Sequence, residues 1–91
     1  MNKLFIDTSS NQKIKVGLKM GKKKFLISRK IDKQKAQVVL PLIQALLKKH
    51  ELKLSDLNGI EANTGQGSFT GIRVGISVAN ALSFALKIPR Y

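Results

Sequence analysis

Between Thr64 and Gly75 the chain reads TGQGSFTGIRVG, four glycines in twelve residues. The stretch follows a short apolar segment and precedes a long helical pattern. Gly65, Gly67 and Gly71 therefore stand where free backbone N–H groups at a helix N-terminus can hold an anion. The spelling lacks the Gly-Lys-Ser/Thr ending of a P-loop and does not match the GxGxxG dinucleotide fingerprint. A tight strand-to-helix turn capped by the hydroxyl of Ser68 or Thr70 is the plainer alternative, and both readings stand at this point. Ser68 is not placed as a nucleophile, because the GxSxG elbow is absent. The one histidine, His50, sits among Lys48, Lys49 and Glu51 at a predicted helix end, where a solvated or capping role is expected.

A second cluster, Asp7, Thr8 and Ser9, closes the first predicted strand. A carboxylate followed by hydroxyls at that place holds metal and phosphate in actin-like and sugar-kinase ATPases, which close a second lobe over the nucleotide. Ninety-one residues make one small domain with a single core and leave no room for that lobe. The expected role is a turn formed by short polar side chains, a vestige of such a phosphate or metal site. The chain has no cysteine, and a lone histidine cannot build a metal cluster, so no metal or cofactor is expected.

The formal charge is +12, from seventeen basic and five acidic residues. Lysines dominate and are scattered, whereas base-reading surfaces favour arginine forks with aromatics, so a solvated lysine surface is the first reading. Direct RNA binding by a lysine face is the second. The N-terminus places Asp7 after only three apolar residues, too few for a signal-peptide core, and a cytoplasmic location is expected. The apolar segment from Ile72 to Leu86 carries Arg73 and Asn80 and falls short of the ~20 residues of a bilayer span, which predicts a buried helix and no membrane partner.

The elements that must position these residues follow from periodicity. KLFIDT is a short, nearly continuous apolar run, as in a strand covered on both faces. From Lys13 to Met20 apolar and lysine or glycine residues alternate, Gly21 supplies a turn, and KFLISR is the antiparallel return. The residues after Asp32, its expected N-cap, read as one helix kinked at Pro41 and ending on Lys48, Lys49 and His50. A fourth strand is expected near Gly59 to Asn63, a second helix from Thr70 to Leu86, and KIPRY leads into a fifth strand. The order is β-β-β-α-β-α, an α/β mixed sheet. Right-handed crossovers put both helices on one face and leave lysines on the other.

Both helices carry more apolar surface than a sheet requires. Leu42 and Leu46 extend the arc of the first; Val74 and Val78 form a second stripe on the other, and Gly71, Gly75 and Ala79 recur every fourth residue. Either the helices cover each other and the sheet, or these seven residues meet the helices of another chain. On the latter reading Gly75→Leu abolishes association and leaves the monomer folded.

LFIDTSS, VVLPLIQALLKKHELKLSDLNGI and above all GQGSFTGIRVGISVANAL resemble the TsaB family, also called YeaZ. The resemblance runs over nearly the whole chain and implies an actin-like ATPase, ribonuclease H-like half-domain that has lost catalysis. Members of the family are longer chains, and the match implies their N-terminal half, ending as a fifth strand begins. It further implies an accessory role beside TsaD, the threonylcarbamoyl transferase that helps make threonylcarbamoyladenosine in tRNA, with the TsaE ATPase joining them. The first two helices would form a four-helix bundle with those of TsaD or of a second copy, and tRNA would be engaged only indirectly. A catalytic hydrolase or ATPase-like half using Asp7 and the glycine loop, and a lysine-rich RNA-binding module, are the competing readings.

Overall fold

The apolar N-terminal run forms β1 (Asn2–Asp7), and the alternating segment after it forms β2 (Lys13–Met20) and β3 (Lys23–Lys30). They are described in a computed structural model that covers residues 1–10, 12–31, 35–65 and 69–91. Met20 pairs with Lys23 across a two-residue loop in which Gly21 takes φ 62°, the left-handed placement that a type II′ hairpin asks of its first central residue. Helix α1 (Lys35–Lys49) follows, then a 3₁₀ turn (Leu54–Asp56), β4 (Gly59–Ala62) and α2 (Phe69–Leu86).

The sheet order is β3-β2-β1-β4, with β4 parallel to β1 and the other pairings antiparallel. Arg90 adds a parallel bridge to Ile60 on the outer side of β4, where a fifth strand was expected. Register sorts the side chains. Leu4 pairs with Leu18 and Ile60, and Ile6 with Val16 and Ala62, so one face of the sheet is aliphatic across three strands. Those residues are buried together with Val39, Ile43 and Leu46 of α1 and Ala79 of α2, which places the single core between the sheet and both helices. The opposite face carries Lys3, Phe5, Lys15, Gly17 and Lys19, the alternate residues of β1 and β2.

Helix α1 runs continuously through Pro41, which is exposed and lies far enough into the helix to leave one ladder bond unmade. The Asp32 N-cap expected for it lies outside the described residues. Both helices end in a left-handed residue that is not glycine. Glu51 (φ 58°) lets the Leu52 amide return to the Leu47 carbonyl, and Lys87 (φ 56°) lets the Ile88 amide return to Ser83. These six-to-one closures are the bond of a Schellman motif, made here without the residue that adopts it most readily. No helix among the described residues is long and apolar enough to cross a membrane.

Candidate functional site

β1 ends in Asp7, and its side chain meets the residues just beyond it and beyond β4. Asp7 Oδ1 accepts from the Ser9 amide at 2.9 Å, the Ser9 hydroxyl at 2.6 Å and Asn63 Nδ2 at 3.1 Å. The Asn63 Oδ1 in turn accepts from the Gly65 amide at 2.9 Å. The first of these bonds is an Asx turn and the last ties the start of the glycine loop to the end of β4. Asp7 and Ser9 are thus brought together, with Asn63, a member that sequence reasoning did not single out. Parallel pairing of β4 with β1 is the long-range fact that places it there. Gly67 and Ser68 lie outside the described residues, as does the side chain of Thr70. Among the described residues no group of three or more His, Cys, Asp or Glu side chains could hold a metal ion.

Burial raises the affinity of the Asp7 carboxylate for a proton. The Ser9 hydroxyl, the Ser9 amide, the Asn63 amide and the charge of Lys15 outweigh that effect and hold its pKa below the ordinary aspartate value. A depressed folded-state pKa contributes stability that is present above the unfolded value, about 3.9, and is lost as pH falls through the folded value. Asp7→Asn is therefore expected to lower the unfolding free energy at pH 7, with the difference from the parent shrinking as pH drops below about 4. Urea titrations at pH 7, 4 and 2.5 check this; a difference that grows in acid contradicts it.

Thr8 points the other way, into the core, and is 1 % exposed. Its hydroxyl accepts from the Gly75 amide at 2.9 Å and donates to the Gly71 carbonyl. Those two backbone groups are the pair that an α-helix would join to each other at i and i+4. The hydroxyl of Thr8, the residue just beyond β1, is thus inserted into the first turns of α2 and fastens the helix to the end of the strand. Thr8→Val keeps the shape and removes both bonds, and is expected to cost about 2 kcal/mol of stability by chemical denaturation, with Thr8→Ser recovering most of it. A valine variant as stable as the parent would show that the bridge contributes nothing.

The glycine row of α2 faces the same strand. A Cβ on Gly75 would lie 2.7 Å from Thr8 Oγ1 and 3.5 Å from Ile6 Cγ2. Gly71 is buried too, and Leu42, Leu46 and Ala79 are 2 %, 0 % and 0 % exposed. The assignment of Gly71, Gly75, Ala79, Leu42 and Leu46 to a partner surface is therefore corrected: small residues every fourth position admit a sheet as readily as a foreign helix, and here they admit β1. Val74 and Val78 are half-buried against the core.

What the helices do turn outward is distinctive. The exposed residues of α1 from Gln37 to Ala45 are Gln37, Leu40, Pro41, Gln44 and Ala45. Those of α2 from Val74 to Leu86 are Ser77, Asn80, Ala81, Phe84 and Ala85. None is charged, in a chain whose residues are 24 % charged. Phe84 is 88 % exposed and Leu40 46 %. Such depletion of charge around an exposed aromatic is what the centre of a protein interface looks like. His50, by contrast, is packed on the Phe25 ring, centroids 4.0 Å apart.

Comparison with known proteins places this geometry. The model of the family described as TsaD, tRNA N6-adenosine threonylcarbamoyltransferase, matches residues 27–91. The tRNA threonylcarbamoyladenosine biosynthesis protein TsaB of Buchnera aphidicola subsp. Schizaphis graminum is 37 % identical over 86 residues, which are 94 % of this chain and 40 % of that protein. A tRNA N6-adenosine threonylcarbamoyltransferase of Chromobacterium violaceum is 44 % identical over 50 residues, 55 % of this chain and 15 % of that one. The solved structure of YeaZ from Pseudomonas aeruginosa superposes with a TM-score of 0.89 at 32 % identity, covering 99 % of this chain and 42 % of that chain. The chain thus spans about two fifths of the length of the TsaB and YeaZ relatives. With its half-domain sheet, paired helices and family match taken together, the chain belongs to the TsaD family of tRNA threonylcarbamoyladenosine biosynthesis, and within it resembles TsaB, also called YeaZ.

Proposed function

We infer that this chain is a non-catalytic accessory subunit that docks the outward face of α1 and α2 on the helices of a TsaD-like threonylcarbamoyl transferase and so supports N6-threonylcarbamoyladenosine formation in tRNA. The observation that carries the reading is the uncharged exposed surface of α1 from Gln37 to Ala45 and of α2 from Val74 to Leu86, with Phe84 its most exposed side chain. In a molecule of net charge +12, those two stretches without an exposed lysine let apolar helix pairs meet without burying a charge. Lack of catalysis is supported by the Asp7 oxygen that already accepts three hydrogen bonds from Ser9 and Asn63 and by the packing of His50 on the Phe25 ring. A second copy of the chain could take the same place, and a TsaE-like ATPase would join the pair.

Mass in solution tests this directly. Light scattering of the chain mixed with a TsaD-like subunit at tens of micromolar is expected to give a one-to-one complex, and the sum of two free species would overturn the reading. In parallel, titration of ATP with Mg²⁺ by calorimetry is expected to give no heat of tight binding; a tight isotherm would favour the enzyme alternative.

A further inference from the structure

Of the five asparagines in the chain, Asn58 alone is followed by glycine. A glycine nitrogen has no Cβ beside it, so it is the least hindered backbone nucleophile that an asparagine side chain can meet. The pair stands between the 3₁₀ turn and β4, and Gly59 is the first residue of that strand. Leu57, just before the pair, is 3 % exposed and belongs to the core, and Ile60, just after it, is fully buried. The asparagine and its glycine thus sit where the chain enters the sheet.

Asn2, the first residue of β1, holds this junction by three hydrogen bonds. Its amide donates to Asn58 Oδ1 at 2.7 Å, its carbonyl accepts from the Asn58 amide at 2.7 Å, and its Nδ2 donates to the Asp56 carbonyl at 3.0 Å. Lys3 then pairs with Gly59 and Leu4 with Ile60. Swinging Cγ of Asn58 onto the Gly59 nitrogen gives up the bond from the Asn2 amide to Oδ1 and draws Gly59 out of its place beside Lys3. The closed junction therefore keeps the carboxamide from the nitrogen that could attack it. The ends of a strand pair open more readily than its middle, and such local openings cost far less than global unfolding. All of these groups belong to β1, the 3₁₀ turn and β4.

We propose that Asn58 is a deamidation site whose rate is set by opening of the β1–β4 pair at Asn2 and Lys3. In the open state the Gly59 nitrogen loses its proton to hydroxide and attacks Cγ of Asn58. The N–Cγ bond forms, the Cγ–Nδ2 bond breaks and ammonia leaves, giving a five-membered succinimide. Water then opens the ring. Attack of water at Cγ restores the ordinary main chain with aspartate at this position, and attack at the main-chain carbonyl leaves the chain running through the side chain as isoaspartate. Either product carries a new negative charge. Isoaspartate also adds one carbon to the backbone directly before Gly59, so that Gly59 to Ala62 must slide or bulge against Lys3 to Ile6 to pair again. A passing opening of the sheet is thereby made permanent. The junction involves neither α1 nor α2, so it does not depend on the helix-docking reading.

The test is peptide mapping by mass spectrometry, with enzymatic methylation of isoaspartate as a second readout, on the 91-residue chain held at pH 8 and 37 °C. Unfolded in guanidinium chloride, the chain should lose ammonia at Asn58 faster than at Asn2, Asn63 or Asn80. In the folded chain the loss at Asn58 should be slower by at least about tenfold, the protection that a local opening of modest cost confers. Asn2→Ala removes the bond to the Asp56 carbonyl and keeps the backbone bonds, and should speed the folded reaction about threefold or more while leaving the unfolded one unchanged. Thr8→Val loosens the hold on α2 without touching the junction, and should leave the folded rate within about twofold if the opening is local. Circular dichroism confirms that both variants are folded. No preference for Asn58 in the unfolded chain, a folded rate equal to or above the unfolded one, an unchanged Asn2→Ala, or the same acceleration by Thr8→Val would each overturn the proposal.

Discussion

Gly75→Leu is expected to unfold the domain, not to detach it from a partner. The first carbon of any side chain at this position falls 2.7 Å from the Thr8 hydroxyl, and the remainder would have to enter the space already filled by Ile6. Neither neighbour is the free end of a flexible side chain: Thr8 is held between the Gly75 amide and the Gly71 carbonyl, and Ile6 is fully buried in β1. Overpacking by one or two methylenes costs about 1–3 kcal/mol, and a leucine here adds four carbons and breaks the Thr8 bridge as well. The sum reaches roughly 4 kcal/mol or more, against a total of roughly 5–14 kcal/mol for a domain of this length. The melting temperature should fall by at least about 15 °C, and a variant that unfolds cooperatively within 1 kcal/mol of the parent would sink the placement of Gly75 against β1.

A double-mutant cycle resolves the cause. Gly75→Ala alone gains about 1 kcal/mol of helix propensity but forces the new carbon on Thr8, so a net loss of about 1–2 kcal/mol is expected. In a Thr8→Ala background the obstacle is gone and the same change should be neutral or stabilising. The coupling between the two sites is then about 1–3 kcal/mol by thermal or urea unfolding. Additive effects would mean that Thr8 and Gly75 do not share the space the geometry gives them.

That relation also shows where the sequence is readable and where it is not. The hairpin is legible because Gly21 interrupts strict alternation, and α1 and α2 are legible because their apolar positions recur at a helical period. The parallel position of β4 follows from handedness once the elements are known. The face presented by α2 is not legible. Ile72, Ile76, Val74 and Val78 make the helix apolar on two flanks, so periodicity does not say which side meets the sheet. Gly71, Gly75 and Ala79 require a close neighbour without naming it, and the neighbour that decides is Thr8, more than sixty residues earlier. Asn63 went unread as a companion of Asp7 for the same reason: its contact with the carboxylate depends on strand pairing. The helix ends at Glu51 and Lys87 gave no signal at all, since a left-handed residue with a side chain is spelled like any other.

The largest effect on association is expected at Phe84. It lies nine residues beyond Gly75, about half a turn away at ~3.6 residues per turn, so it stands opposite the side that packs on β1. An aromatic ring 88 % exposed on a helix whose other exposed residues from Val74 to Leu86 are Ser77, Asn80, Ala81 and Ala85 has small, uncharged neighbours on the helix that let a partner helix approach. Aromatic anchors of that kind concentrate interface energy, and a substitution there commonly costs 2 kcal/mol or more. Phe84→Lys retains a good helix former and sets a positive charge near the C-terminal end of α2, where the helix dipole favours it, so monomer stability should change by less than about 0.5 kcal/mol. Placing that ammonium in an apolar contact should nevertheless weaken binding to a TsaD-like subunit by about 3 kcal/mol, roughly 150-fold. Leu40→Ala, on the flank of α1, should cost far less, because only part of its side chain stands free. Sedimentation of labelled chain with a TsaD-like partner measures both. If Phe84→Lys binds as the parent does while Leu40→Ala does not, the contact runs along α1 around Leu40 and the α2 back is not the docking face; if neither changes it, the helix pair is not the surface through which this chain meets its partner.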